Sequence, residues 1–212
     1  MITNHQYLKI HPIDHRAERL ILGTIHPHIH DNFLIPFYYG NELSIWKIFH
    51  AAFPDELSDP RNLKSVKSFL KGRKLTVSDT IISCERINPT ALDQDLKPIK
   101  LHKEELINSI KQSSIREILC TSGFGKNNAF SIFYRDILGL SLTKEIRSRR
   151  EVDLPESIFG RPVKVRALYS PARTANMGIG KSKLYKEVKE RYAHLARPVE
   201  AYRVDLYKQA VS

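Results

Sequence analysis

His26, His28, His30 and Asp31 form an H-x-H-x-H-D string. Alternating imidazoles followed by a carboxylate are a ligand set that Zn²⁺ or iron accepts, and a metal-dependent hydrolase is one chemistry this string could serve. Pro27 biases His26 toward extended backbone. No second His/Cys/Asp cluster supplies further ligands, because His50, His102 and His194 are isolated. The competing reading is a polar loop whose histidines bond backbone or touch phosphate. Ser170-Pro-Ala-Arg-Thr-Ala-Asn176 is rich in small residues and leads to Gly178 and Gly180. Small residues let backbone approach a phosphate, whose oxygens take N–H and hydroxyl donors, and Arg173 could pair with it. An ordinary turn with one exposed arginine is the alternative. Phe37, Tyr38 and Tyr39 could stack on a base or belong to the core. Asp79 and Glu85 could poise a water between them, or serve as a cap and an ion pair with Arg86.

The elements that would position these residues alternate in type. Arg19–Ile25 and Ile115–Thr121 are short apolar runs that read as buried strands, and Val163–Tyr169 alternates apolar and polar residues as a third. Asn41 is placed to cap a helix whose inward face is Leu43, Ile45, Trp46, Phe49 and Phe53. Asp59-Pro60 opens an amphipathic stretch to Leu70. Thr76 or Ser78 is read as the start of a helix through Ile81, Ile82 and Cys84. Glu104–Lys111 and Asn127–Leu138 are expected to be helical, and Lys181–Leu195 a basic helix. Strands alternating with helices predict an α/β layered fold with a parallel sheet, in a single domain over residues 1–212. Ligands of such sheets bind beyond the carboxyl ends of the strands, here the loops after Ile25, Thr121 and Tyr169.

Composition narrows the class. The 212 residues are 42% apolar and 27% charged, with 9 Gly and 11 Pro, which excludes collagenous and largely disordered chains. No apolar run approaches the roughly 18–20 residues of a membrane span. The start, Met1-Ile-Thr-Asn-His-Gln-Tyr7, has no apolar segment of a secretory signal, and Cys84 and Cys120 are far apart, so a reducing cytoplasmic location is expected. Lys and Arg number 34 against 23 Asp and Glu, a formal charge of +11. Residues 141–212 hold 16 basic and 8 acidic side chains, so most of that excess lies in the last third. A basic face of this size favours a polyanionic partner.

Ile21-Leu-Gly-Thr-Ile-His-Pro27, Phe37-Tyr-Tyr-Gly40 and Ile45-Trp-Lys-Ile-Phe49 together resemble the first motif of the uracil-DNA glycosylase superfamily, in particular its mismatch-specific and hypoxanthine-DNA glycosylase branch. Asp79-Thr-Ile-Ile-Ser-Cys-Glu-Arg86 is similar to that branch's W-D-V-x-x-S-C-x-R segment, and Tyr169-Ser-Pro-Ala172 stands where the superfamily has S-P-S or H-P-S. Order and spacing fit from Leu20 to Arg191. His26 occupies a position where the pattern has Asn or Asp, and Asn41 is the only amide near the branch's other Asn. The resemblance implies an α/β fold, a three-layer αβα single domain with a central, mostly parallel four-stranded sheet, and a DNA glycosylase that hydrolyses the N-glycosidic bond of a flipped base without metal or organic cofactor. It implies His26 or Asn41 positioning the water, with Asp79 or Glu85 as a further base. Gly23, Thr24 and Ile25 would read the base edge while Phe37 or Tyr38 stacks on it. Ser170, Pro171, Ala172 and Arg173, with the nearby Lys181 and Lys183, would contact double- or single-stranded DNA. A monomer is expected. A noncatalytic nucleic-acid-binding protein on the same scaffold remains open, as does the metal hydrolase through His26, His28 and His30.

Overall fold

The computed structural model describes residues 1–88 and 92–212. Its strands are β1 (Ile2–Asn4), β2 (Arg19–Gly23), β3 (Leu75–Asp79), β4 (Ile81–Arg86), β5 (Leu96–Leu101), β6 (Glu117–Cys120), β7 (Glu151–Leu154) and β8 (Val163–Ala167). The helices are α1 (Ser44–Ala52), α2 (Leu63–Gly72), α3 (Glu104–Lys111), α4 (Ala129–Ser131, continued by π geometry over Ile132–Ile137), α5 (Lys144–Arg149), α6 (Glu156–Phe159), α7 (Ala175–Lys181), α8 (Lys183–Val188) and α9 (Pro198–Val211). Together they make a mixed α/β fold. No helix among the described residues is long and apolar enough to cross a membrane.

The main sheet runs β3-β2-β6-β8-β7. β3, β2, β6 and β8 are mutually parallel, and β7 pairs antiparallel with β8, so the expected four-stranded parallel sheet carries a fifth, antiparallel edge strand. Strand alternation gives each face its own core. Leu20, Leu22, Ile118 and Cys120 pack against α3, the α4 region and α6, whereas Ile21, Leu119, Leu75 and Val77 pack against α1, α2 and α9. Helices thus cover both faces of the sheet, as near-continuous apolar strands require.

A second, antiparallel sheet has the order β1-β4-β5. The helix expected from Thr76 or Ser78 is replaced by strands of both sheets: Thr76 and Ser78 lie in β3 of the main sheet, and Ile81, Ile82 and Cys84 in β4. The β-branched run Thr-Val-Ser-Asp-Thr-Ile-Ile suits pleated backbone, and pairing on both sides of β4 settles it. The single basic helix expected over Lys181–Leu195 is also broken. Ser182 ends α7 in extended geometry and caps α8 by accepting from the Tyr185 N–H.

Asn41 caps nothing. Leu43 precedes α1 in left-handed backbone (φ 54°), and Tyr39 adopts the same region (φ 56°). The turn carrying them is pinned from below, where the buried Trp46 indole donates to the Tyr38 carbonyl at 2.8 Å. Between them, a Cβ on Gly40 would sit 2.0 Å from the Ile35 carbonyl oxygen. Gly40→Ala is therefore expected to cost about 2–4 kcal/mol in chemical denaturation. A loss under about 0.5 kcal/mol, the range of neutral surface changes, would show that the turn yields freely.

Candidate active site

A cleft of about 380 Å³ opens at the carboxyl ends of β2, β3, β6 and β8. Its walls are Thr24–Pro27 after β2, Tyr39 and Asn41–Glu42 before α1, Asp79, Leu92 and Asp93, Thr121 and Ser122 after β6, and Ser170–Thr174 after β8. Parallel register brings these groups together, since Gly23 lies opposite Asp79 and Leu22 opposite Cys120.

Asp79 is held by a histidine at the far end of the sequence. The His5 imidazole is fully buried, and its Nδ1 accepts the backbone N–H groups of Tyr7 (3.0 Å) and Leu8 (3.3 Å). The ring hydrogen must then lie on Nε2, which donates to Asp79 Oδ2 at 2.7 Å. His102 Nδ1 meets the Asp79 carbonyl at 3.0 Å. Oδ1 has no hydrogen-bond partner among the described residues. A Cβ on Gly23 would fall 2.2 Å from this Oδ1 and 2.4 Å from the Tyr39 hydroxyl, so both groups close over a glycine that has to be one.

Two hydroxyl relays line the opposite wall. Thr121 Oγ1 donates to the Leu22 carbonyl at 3.3 Å and so takes the Tyr39 hydroxyl hydrogen at 2.8 Å. Ser122 Oγ accepts the Ala129 N–H and donates to Asp93 Oδ2 at 2.8 Å, while Thr24 Oγ1 donates to Asp93 Oδ1 at 2.9 Å. Burial raises the Asp93 carboxyl above its usual range. The Asp79 charge adds to that, against the two hydroxyl bonds and the Arg86 charge.

His26 lines the cleft with both ring nitrogens committed. Nε2 accepts the Gln6 N–H at 3.0 Å and Nδ1 donates to the Pro27 carbonyl at 2.7 Å. Burial first, then the neighbouring His5 and His30, push its pKa down to about 4, so it is a neutral wall at physiological pH. The histidine string diverges. His28 Nδ1 bonds Thr3 Oγ1 and His30 Nδ1 bonds the His28 carbonyl, and no group of three or more His, Cys, Asp or Glu among the described residues is placed to hold a metal. Asn41 reaches the cleft, and its amide makes no hydrogen bond among the described residues.

The remaining expected residues divide. Thr24, Ile25, Ser170, Pro171, Ala172 and Arg173 line the cleft, and Gly23 lies just beneath it. Phe37 and Tyr38 are buried beside Trp46 and His11 and do not line it; Tyr39 supplies the aromatic wall. Glu85 lies on β4, exposed and 3.6 Å from Lys97, outside the cleft. Lys181 and Lys183 are exposed at the α7–α8 junction and also lie outside it. His5 and Asp93 carried no signal in their spacing. Thr121 and Ser122 follow a strand that reads as parallel, where ligand-facing loops are expected.

A solution NMR structure from Methanosarcina acetivorans, described as a candidate uracil DNA glycosylase, is similar over 99% of this chain and 99% of its own, with TM-score 0.50 and 14% identity. That likeness concerns the fold. No family model and no curated protein matches the chain.

His26 generates a stability test. Its folded pKa is depressed below the unfolded value near 6.5, so its contribution is present above pH 6.5 and is lost as pH falls toward about 4. Melting curves are expected to lose on the order of 2–3 kcal/mol of stability across that window from this group. His26→Gln should flatten the loss; an unchanged pH dependence would assign it to His11 and His102, which burial also depresses.

Proposed function

We propose that the chain is a DNA glycosylase that hydrolyses the N-glycosidic bond of a base extruded into the cleft, on a uracil-DNA glycosylase-like scaffold and with the mismatch-specific and hypoxanthine branch as its nearest pattern. The observation that carries this reading is a carboxylate with one oxygen locked and the other unpartnered. Asp79 Oδ2 belongs to His5, Oδ1 has no hydrogen-bond partner among the described residues, and Asp79 and Asn41 both line the cleft. The similar fold of the Methanosarcina acetivorans protein supports it, as does the motif order from Leu20 to Arg191.

The roles follow from the hydrogen bonds. Asp79 Oδ1 accepts a proton from a water, whose oxygen bonds to the sugar C1′ as the bond from C1′ to the base nitrogen breaks with its electron pair. The base leaves with that pair and takes up a proton from solvent, Asp79 releases the proton it took from the water back to solvent, and the product sugar is abasic. His5 acts as a positioning residue: with its Nδ1 fixed by two backbone donors, it fixes the plane of the carboxylate. Asn41 offers both a donor and an acceptor to the edge of the base. Tyr39 forms the aromatic wall, and its relay through Thr121 orients the hydroxyl. His26 positions no water with its ring nitrogens in this arrangement, since both are used; it shapes the wall and excludes solvent. Ser170 and Arg173 stand at the rim where a flanking phosphate would lie. A nucleic-acid-binding protein without catalysis is the alternative that the fold alone leaves standing.

Labelled duplexes and single strands carrying uracil, hypoxanthine, xanthine or a G·T mismatch, incubated with the protein and treated with alkali, are expected to show scission on at least one substrate. DNA binding without scission on any of them would establish the noncatalytic alternative. On the active substrate, Asp79→Asn should lower the single-turnover rate by about 10²–10⁴-fold with DNA affinity nearly unchanged. Retained activity would remove Asp79 from the role. His5→Gln should lower the rate about tenfold at unchanged affinity and alter its pH profile, a change that a purely structural role would not produce. Arg173→Ala is expected to weaken binding and to lower the salt slope by about one.

A further inference from the structure

The cleft has a second basic rim, on the side of α5, that the sequence motifs do not mark. Residues 123–150 hold six basic and two acidic side chains. Both acids are taken, Asp136 by Arg135 at 2.7 Å and Glu145 by Arg149 at 3.1 Å. Lys126, Lys144, Arg147 and Arg150 have no carboxylate partner among the described residues.

Arg150 is the inner member of this group. It sits at the C-terminus of α5 in left-handed backbone (φ 59°), a region that favours glycine or asparagine there. Its guanidinium is half-buried, with Nε donating to the Ala167 carbonyl at 3.0 Å and Nη2 to the Leu168 carbonyl at 3.1 Å. The group lies 4.2 Å from the Tyr169 ring centre and 5.4 Å from that of Phe124. Arg147 approaches the same Phe124 ring at 5.6 Å and donates to the Phe124 carbonyl. Nη1 makes no hydrogen bond among the described residues, and both terminal nitrogens lie on the Gly123 side, Nη2 3.5 Å and Nη1 3.8 Å from where a Cβ on that residue would be. Gly123 follows Ser122, and Tyr169 precedes Ser170, both cleft residues. A half-buried cation fixed by strained backbone, two carbonyls and an aromatic face, yet left without an anion, is an incomplete ion pair.

We propose that Arg150, Arg147 and Lys126 form a phosphodiester-binding track that receives backbone phosphates of the nucleic-acid strand whose nucleotide occupies the cleft. This rests on the nucleic-acid reading of the cleft. The guanidinium completes its pairing with phosphate oxygens, a charge-assisted geometry that arginine provides. Arg173 and this group then grip one strand on either side of the extruded nucleotide.

The test is the salt dependence of DNA affinity, read by fluorescence anisotropy on the same lesion-bearing oligonucleotide used for cleavage. Lys126→Ala with Arg147→Ala removes two exposed side chains that pair with no carboxylate. It is expected to lower the slope of log K against log [salt] by about two on duplex, and somewhat less on single strand. Lys64→Ala with Lys71→Ala, on α2 against the opposite sheet edge, makes the same charge change and is expected to leave the slope alone. Arg150→Met should lower it by about one more. Its melting temperature is measured in parallel, and the exposed pair decides the question if Arg150→Met fails to fold. Equal slope losses from the α5-side and α2-side pairs would overturn the track in favour of diffuse charge. An unchanged slope in Lys126→Ala with Arg147→Ala, with binding and cleavage intact, would overturn the track and leave the glycosylase reading standing. Reduced slope without cleavage would keep the track and remove the catalysis, and no DNA binding by the unaltered protein would remove both.

Discussion

The missing side chain of Gly23 is the constraint on which the cleft depends. β2 and β3 end in register, with Gly23 directly across from Asp79, and Tyr39 reaches the same spot from a left-handed turn. A methyl group there would overlap the Asp79 carboxylate and the Tyr39 hydroxyl together. Because Gly23 has no Cβ, the carboxylate can lie across the end of its neighbouring strand, within reach of His5 on one side and the cleft on the other. Parallel pairing alone would deliver the strand ends to one edge. It is the glycine that lets their functional groups converge.

Around that point, almost every polar atom has been given one role by its neighbours. His5 must carry its hydrogen on Nε2 because two amides occupy Nδ1, and Thr121 must accept from Tyr39 because it donates to Leu22. His26 is neutral and saturated. Satisfied networks of this kind are rigid, since breaking one bond leaves a buried group unpaired. Among the described residues, the groups left open include Asp79 Oδ1, the Asn41 amide and the arginine nitrogens of the rim. A water, a base edge and a phosphate are complementary to these three in turn, and the selectivity of the site lies in what has been left unbonded.

The sequence displayed the parts that obey local rules. The buried strands at Arg19 and Glu117 and the helix Glu104–Lys111 are legible because apolar periodicity and burial agree there. The loops after them are legible as ligand sites because parallel sheets bind at their carboxyl ends. The β3–β4 region is not legible locally: its apolar spacing is compatible with a helix, and it is made extended by pairing of β3 with β2 and of β4 with the N-terminal strand and β5. The same long-range pairing brings His5 to Asp79 across 74 positions, a contact that no local spacing encodes. His26 drew attention as one member of a histidine string, yet chemistry is decided by where each nitrogen's bond goes, and here the three rings point to three different partners. Phe37 and Tyr38 illustrate the same limit, because an aromatic triplet does not announce which ring the turn will direct outward.

The electrostatic layout adds a final argument about orientation. The chain carries a net +11, yet the floor of its cleft holds two carboxylates, Asp79 and Asp93. A polyanion drawn by the overall field meets acceptors at the floor and cations at the rim. On the proposed reading, phosphates are repelled from the depth of the cleft and held at its edges by Arg173 and Arg150, while an uncharged base meets no such opposition. A nucleotide can satisfy both demands in one way only, with its backbone along the rim and its base pointing down. In the pose proposed for the glycosylase, the sugar spans the two. The sign of the charge at each depth thus favours the orientation that the proposed hydrolysis at C1′ would require, before any contact with the base edge distinguishes one base from another.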